Sequence, residues 1–301
     1  MNALVHINFV KYRPFAAIFS IFLIGAFSAT AWYKYSTTGR VFDYSVDFTG
    51  GSQVLLKFSQ APDVDMIRAI FAQNSWNNVS LREFSGKNEV LVRVKEFSND
   101  SKGLGERMHA ALSQDMPDQE IQILQSEGVG PSVGEALRWK SVQAVLLSLI
   151  LLLVYIAVRF WSFGFAVGAV VALFHDAIIM IAAFMFFGKE ISVNVIGAIL
   201  AVLGYSINDT IVIFSKIREN MRKNSNGMSL NQIVDLSLNQ TLRRTLLTSI
   251  STALTVGSIF VLGGEALHGF SFAMLVGVVF GTYSSIYVAS PIMMLFSHRQ
   301  K

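Results

Sequence analysis

The chain has 301 residues, of which 52% are hydrophobic, and its mean hydropathy of +0.50 is too high for an ordinary soluble domain. A net charge of +4 and a pI near 9.3 would be compatible with nucleic-acid binding. However, the basic residues fall in short loops between apolar runs and form no stripe interleaved with aromatic residues, so we exclude nucleic acid as a partner. The chain has no cysteine, which excludes disulfides, thiolate catalysis and cysteine metal sites.

Six apolar runs predict membrane-spanning helices, because each can cross an apolar layer about 30 Å thick. In chain order the runs cover residues 15–33, 141–158, 163–187, 191–214, 246–262 and 270–296. The first run is long enough to span and lacks a small-residue cleavage site, so we interpret it as an uncleaved helix rather than a signal peptide. The runs divide the chain into an N-terminal segment with the first span (1–33), a domain at 34–140, and five further spans in 141–301 with a loop at 215–245 that we predict to be helical.

The placement of Lys and Arg predicts the orientation of these spans. The basic loops all fall on one side if both termini are cytoplasmic, as the positive-inside rule requires. These basic positions are Lys11 and Arg13, Arg159, the cluster at 216–223, Arg243 and Arg244, and Arg299 and Lys301. The segment at 34–140 then lies outside, and its 12 Lys/Arg against 14 Asp/Glu make it nearly neutral.

The segment at 34–140 has the pattern of a small α+β domain. Its periodicity predicts strands at 52–58, 79–84, 90–94 and 120–125 and helices at 64–74 and 104–114. The order β-α-β-β-α-β is the ferredoxin-like pattern, and the alternative is an α+β domain with another strand order. The predicted fold class is therefore a polytopic α-helical membrane protein with six transmembrane helices and one external α+β ferredoxin-like domain.

Two glycine-rich segments, at 47–51 and 128–134, bracket this domain. Glycine adopts backbone angles that other residues avoid, so we predict hinges at Gly50, Gly51, Gly130 and Pro131. Phosphate binding is not predicted, since neither segment has the strand, loop and lysine of a P-loop.

Two aspartates lie within apolar spans, Asp176 in the third and Asp209 in the fourth. An ionised carboxylate in hydrocarbon costs roughly 2.5–3.5 kcal/mol, so such groups face a protein interior or a water-filled path and commonly relay ions. Around Asp209, the polar side chains of Tyr205 and Ser206 share its helix face and Asn208 is adjacent. We predict that Asp209 carries a proton, and the alternative is a permanently neutral or statically paired carboxyl. Asp176 fits a second relay group and a hydrogen-bonding strut equally well.

Arg244 begins the fifth span on the same side as Asp209. Thr248, Thr252 and Thr255 follow it at helical spacing, which predicts a polar stripe on an apolar helix. Arg244 can therefore pair with Asp209 and hold it ionised until a proton competes. Periodicity alone favours the alternative, an interfacial arginine that extends towards lipid headgroups.

Several motifs together are similar to those of one family. They are DFTGG at 47–51, VGPSVGEAL at 129–137, HD at 175–176, GYSINDTIV at 204–212, IREN at 217–220 and NQTLRRTLLTS at 239–249. They resemble the SecF family of the RND superfamily, the smaller subunits of SecDF protein-export complexes. The resemblance implies six spans, one external ferredoxin-like domain and a SecD-like partner.

The resemblance also implies a function. Such a complex uses the proton motive force to draw unfolded secretory polypeptides across the bacterial inner membrane, after SecA has started them through the SecYEG channel. Residues 34–140 are then periplasmic, and protonation of Asp209 is coupled to movement of this external domain. The key membrane aspartate of the family falls on Asp209 and its key arginine on Arg244, although the adjacent Arg243 leaves open which arginine is used.

On this interpretation the protein is not an enzyme and needs no cofactor or metal. Three alternatives remain. An intramembrane aspartyl protease has a GxGD pattern, but Ser206, Ile207 and Asn208 precede Asp209 here. Half of a proton-coupled RND small-molecule transporter is a second alternative, although such pumps usually carry both halves in one chain. The third is a structural scaffold without proton coupling.

Overall fold

The computed structural model describes residues 7–76, 79–84, 86–95, 100–223 and 227–297, with Ser101 described by its backbone alone. The predicted basic positions Arg299 and Lys301 lie outside this range. Six helices within it are long and apolar enough to cross a membrane. They are α1 (Phe9–Thr38), α5 (Pro131–Phe160), α6 (Phe163–Phe186), α7 (Val193–Arg222), α8 (Leu230–Leu262) and a final span, Gly264–Ser297.

Most of these helices extend beyond the predicted apolar runs. Helix α7 continues to Arg222 and α8 begins at Leu230, so the predicted loop at 215–245 is largely helical. A capping box starts α8: the Ser229 hydroxyl accepts from the Gln232 amide, and the Gln232 side chain accepts from the Ser229 amide. Hydropathy marks only the apolar part of each helix, which explains why the polar ends were not included in the predicted spans.

The chain divides into a helical unit, residues 1–43 and 143–301, and a sheet unit, residues 44–142. In the helical unit α6, α7 and the final span are the most buried, whereas α1, α5 and α8 are largely exposed. Small residues allow the inner helices to approach closely. A Cβ on Gly168 of α6 would lie 2.6 Å from the Ala289 carbonyl oxygen, and one on Gly277 would lie 2.5 Å from Val202 of α7.

The final span is interrupted near its middle. Helix α9 (Gly264–Ser284) passes into a π-helical turn, Ser285–Ala289, and then into α10 (Ser290–Ser297). Pro291 has no N–H to donate to the preceding turn, which is a common cause of such an irregularity. The Ser290 hydroxyl instead donates to the Ser285 carbonyl over 3.1 Å. This irregular turn lies beside the polar cluster described below.

The sheet unit has four antiparallel strands in the order β2-β3-β1-β4. The strands are β1 (Gly51–Phe58), β2 (Val79–Phe84), β3 (Glu89–Val94) and β4 (Ile121–Val129). The helices α3 (Val64–Gln73) and α4 (Ser101–Asp115) follow β1 and β3, and a short helix α2 (Val46–Thr49) precedes β1. The predicted β-α-β-β-α-β order and ferredoxin-like fold are confirmed.

Alternate side chains along the strands point to the same face of the sheet and form the core of the sheet unit. Val54, Leu56 and Phe58 of β1 point to one face and pack against Ile67 and Met108 of the two helices. All of these side chains are almost fully buried. The opposite face is partly polar, where Gln53 donates to Glu127 over 2.8 Å.

The glycine-rich segments are mostly regular structure in which the predicted hinge residues pack tightly. Residues 128–129 end β4, and Pro131 begins α5. A Cβ on Gly50 would lie 2.8 Å from the Pro131 Cα atom, and one on Gly51 would lie 2.6 Å from the Val94 carbonyl oxygen. Both glycines have positive φ, 72° and 113°. The glycines therefore allow a close-packed junction within the sheet unit, and a hinge at Gly50, Gly51, Gly130 and Pro131 stays a prediction.

Candidate functional site

Asp209 is a buried carboxyl group that has no hydrogen-bond partner among the described residues. It lies on α7 and is 3% exposed. Its Oδ2 atom is fully buried and accepts no hydrogen bond from the described residues. Burial in apolar surroundings disfavours the ionised form, whereas a nearby positive charge favours it. Within the described residues, the carboxyl group is therefore not positioned by a hydrogen bond at Oδ2.

Arg244 provides that nearby positive charge. Its guanidinium interacts electrostatically with Asp209, although the two described side chains form no direct ion pair within 4.0 Å. Arg244 and Arg243 are both exposed on the surface of this chain. The arrangement thus brings Arg244 to act on Asp209 without fixing the carboxylate in a closed salt bridge.

Asp176 is in the opposite situation, because its carboxylate is well hydrogen-bonded. The Ser206 hydroxyl donates to its Oδ2 atom over 2.6 Å and the Ser284 hydroxyl over 2.9 Å. His175 Nδ1 lies 3.4 Å from its Oδ1 atom. Asp176 is fully buried and links α6 to α7 and to the end of α9, just before the π-turn. These contacts favour the strut over the relay.

The other predicted polar residues do not surround Asp209. Ser206 bonds to Asp176 instead, and the Tyr205 hydroxyl donates to Ser249 over 3.3 Å. Asn208 is exposed. The Thr248 hydroxyl donates to the carbonyl oxygens of its own helix, at Arg244 and Thr245, and Thr252 is half-buried. The hydrogen bonds of these side chains are therefore made within and between helices, and none of them is made to the Asp209 carboxylate.

The buried polar face of α8 was missed by the sequence analysis. It comprises Thr241, Thr245 and Ser249, all less than 10% exposed, and Ser249 lies 2.6 Å from the Thr282 hydroxyl of α9. These residues repeat every four positions, as the predicted stripe does, but lie on a neighbouring face of the helix. Periodicity gave no reason to choose between the two faces. Only the packing of α8 on α7 and α9 distinguishes them.

Four polar residues, which we call the α8 clamp, hold the first turns of α8 between two other helices. On one side Asn239 Oδ1 accepts from the Ile7 amide and Asp235 Oδ1 accepts from the Val10 amide, both over 2.9 Å. On the other side Asn220 of α7 donates to Gln240 over 2.9 Å. The α8 clamp consists of Asn220, Asp235, Asn239 and Gln240. It gives a structural role to the asparagine of the IREN motif and to the first two residues of NQTL. It also positions α8, the helix that carries Arg244.

A metal centre is not supported by the part of the chain that the structure describes, where no three His, Cys, Asp or Glu side chains are grouped to hold an ion. The candidate site is therefore made of carboxyl, hydroxyl and guanidinium groups.

Comparison with known proteins identifies the family. The family model described as protein export membrane protein SecD/SecF, C-terminal, matches residues 109–299, and the SecD/SecF GG motif matches residues 35–62. A SecF protein translocase subunit of Vibrio alginolyticus is 39% identical over 94% of this chain and 88% of its own length. The corresponding subunit of Pseudomonas aeruginosa is 36% identical over 95% of this chain and 90% of its own. This chain belongs to the SecF family. It is therefore a Sec-associated protein translocation subunit and a multi-pass membrane protein.

Solved structures agree with this assignment. The crystal structure of SecDF from Thermus thermophilus, described as a translocon-associated membrane protein, has a TM-score of 0.84 and 33% identity, covering 99% of this chain. The present chain spans about two fifths of that longer chain, 40%. The relatives are named as protein translocase subunits, which agrees with the prediction of a translocation subunit rather than an enzyme.

Proposed function

We propose that this chain is half of a proton-driven complex that promotes the passage of secreted polypeptides through the Sec channel, and that Asp209 carries the proton. One observation carries the proposal: Asp209 is buried, has no hydrogen-bond partner among the described side chains, and is subject to the charge of Arg244. A carboxyl in this setting changes its local interactions when its protonation changes. Asp176, with its hydroxyl donors in place, lacks that freedom.

In the coupling that we propose, ionised Asp209 attracts Arg244, and protonation of Asp209 removes this attraction. When Asp209 is ionised, it attracts the guanidinium of Arg244, and because Asp209 is buried this attraction is stronger than between two charges in water. When Asp209 is protonated, that attraction disappears and α8 is free to shift against α7. Movement of the external domain is the proposed output.

A pair of arginine substitutions tests this coupling. Arg244→Ala is expected to lose most of the gradient-dependent stimulation of export, because among the described residues Arg244 is the cation that acts electrostatically on Asp209. Arg243→Ala is the matched control, as it removes the same charge one residue away and should retain most of the stimulation. Export into inner-membrane vesicles, measured with and without a proton gradient, compares them. Equal and mild losses in both variants would show that the two arginines simply extend to headgroups.

A SecD-like partner is the second part of the proposal. One face of α7, comprising Gly197, Ala201, Gly204 and Asn208, is exposed and lined by small residues. A Cβ on Gly197 or Gly204 would meet no described atom within 4 Å, so this face is open to a close-packed neighbouring helix. The longer SecDF chain that this one matches contains additional sequence that can supply such a helix. SecYEG and the unfolded polypeptide are proposed as further partners from family membership.

The exposed face of α7 predicts that a large side chain at Gly204 weakens binding of the SecD-like subunit. Gly204→Leu is expected to reduce co-purification of the SecD-like subunit strongly, because the larger side chain would hold the neighbouring helix away. Gly25→Leu is the control: Gly25 lies on α1, also with open space around it, and there the leucine should be accommodated by lipid. Affinity purification of each tagged variant gives the measurement. Unchanged recovery of the partner with Gly204→Leu would place the interface elsewhere.

For localisation we propose the bacterial inner membrane, with both termini cytoplasmic and residues 34–140 in the periplasm. The distribution of basic residues supports this orientation. A periplasm-dependent reporter inserted at the turn around Gly86 is therefore expected to be active, and the same reporter between Lys223 and Gly227 inactive. The reverse pattern of activity would overturn the orientation.

A further inference from the structure

An open cavity of about 500 Å³ lies where α5 and α7 end. Its lining includes Phe160, Glu219 and four cations: Arg159, Arg218, Arg222 and Lys223. Phe160 is buried at 2% exposure and forms an apolar wall. The Arg218 guanidinium donates to the Arg159 carbonyl oxygen over 3.4 Å, which joins the two helix ends. None of these residues belongs to the Asp209 site.

Local pairing leaves most of this positive charge uncompensated. Glu219 is shared between Lys223, at 2.6 Å, and Lys216, at 3.1 Å. Within the described residues, the guanidinium groups of Arg159, Arg218 and Arg222 have no acidic partner within 4.0 Å. The C-terminal ends of α5 and α7 each contribute roughly half a negative charge, which offsets only part of three guanidiniums. The cavity is therefore suited to an anion.

The surroundings of the cavity indicate that this anion has acyl chains. Trp161, at 84% exposure, and Phe163, at 65%, follow immediately after α5. Exposed aromatic residues at the end of a membrane helix are typical of the headgroup level of a bilayer. Leading away from the cavity, α5 presents exposed apolar side chains, among them Val154 and Val158. A headgroup in the cavity would thus have its acyl chains beside an apolar helix surface.

We propose that this cavity binds the headgroup of an anionic phospholipid, with the three guanidiniums contacting its phosphate. Arginine suits this role because its planar fork of donors matches phosphate oxygens. Basic pockets between helices at the cytoplasmic side of membrane proteins bind such headgroups. The bound lipid would hold the ends of α5 and α7 together.

Native mass spectrometry of the full chain in mild detergent tests the proposal, since it resolves individual lipid adducts. We expect discrete binding of phosphatidylglycerol and much weaker binding of zwitterionic phosphatidylcholine. The double variant Arg218→Gln/Arg222→Gln should bind phosphatidylglycerol roughly 30-fold more weakly, on the basis of about 1 kcal/mol for each cation near a membrane surface. Lys11→Gln/Arg13→Gln, which removes two cations from another helix, is the control and should keep the adduct.

A further variant is expected to strengthen lipid binding, a result that misfolding would not produce. Glu219→Gln removes the one acidic group of the cavity and should strengthen phosphatidylglycerol binding about fivefold. Inorganic phosphate is the probe for a soluble anion, and we expect it not to displace the lipid. Equal phosphatidylglycerol binding by both double variants, displacement by phosphate, or weaker binding by Glu219→Gln would each overturn the proposal. So would loss of the adduct once an acidic protein partner is bound, which would assign the cavity to that partner.

Discussion

Asp209→Asn is expected to abolish the gradient-dependent part of protein export while leaving the protein folded and assembled. The amide has nearly the same size as the carboxyl group but cannot take up or release a proton. Asp209 Oδ2 has no hydrogen-bond partner within the described part of the chain, so the exchange breaks no hydrogen bond at that atom. Removal of a buried charge near Arg244 should also cost little stability, because the desolvation cost of the carboxylate disappears with it.

The measurement is the export rate of a secreted protein into inverted inner-membrane vesicles, before and after the proton gradient is dissipated. In the parent the gradient should increase the rate, and in Asp209→Asn the two rates should be nearly equal. Thr255→Val, a change of similar size at an exposed position of α8, is the control that should respond like the parent. A normal response of Asp209→Asn to gradient collapse would exclude Asp209 as the carrier, even if export itself were slower.

The sequence predicted the fold well, since hydrophobic patterns are local and strong. The four strands and two helices of the sheet unit were placed to within a few residues, with one instructive exception at the end of β4. This strand continues to Val129, into the segment that was interpreted as a glycine hinge. Composition indicated flexibility there, but Gly128 pairs with Ser52 of β1. The residues that pair are far apart in the sequence, and a glycine-rich segment has no hydrophobic alternation from which the pairing could be predicted.

The candidate site was predicted less completely, because its contacts join distant parts of the chain. Asp209 and Asp176 stood out as carboxyl groups in apolar runs, but their partners did not. Ser206 is three residues from Asp209, yet its hydroxyl bonds to Asp176 on another helix. Likewise, the bond between Ile7 and Asn239 spans 232 residues. Helical spacing describes one helix at a time and does not show which of its faces meets a neighbour.

Asp176 should respond to substitution in the opposite way to Asp209. Asp176→Asn is expected to be tolerated in both stability and export, because the amide oxygen can still accept from the Ser206 and Ser284 hydroxyls. Its NH₂ group can also donate to His175 Nδ1 once the ring carries its proton on Nε2 instead. Asp176→Ala leaves the Ser206 hydroxyl without its acceptor in a fully buried position and opens a small cavity. We expect a loss of about 2–4 kcal/mol in stability.

The comparison of these two variants separates a strut from a relay. Thermal retention of monodisperse protein in detergent measures stability, and the vesicle assay measures the response to the gradient. Ser284→Ala is a milder control, since Ser206 continues to donate to the same oxygen atom. If Asp176→Asn remains stable but loses gradient-dependent export as completely as Asp209→Asn, Asp176 takes part in proton transfer. If only Asp176→Ala is impaired, and through stability, the carboxylate acts by holding α6, α7 and the end of α9 together. The hydrogen bonds of Asp176 favour that result, because removing the acceptor leaves two buried hydroxyl groups without their partner and so lowers stability. Asp209 Oδ2 accepts no hydrogen bond from the described residues, so its substitution has no such cost.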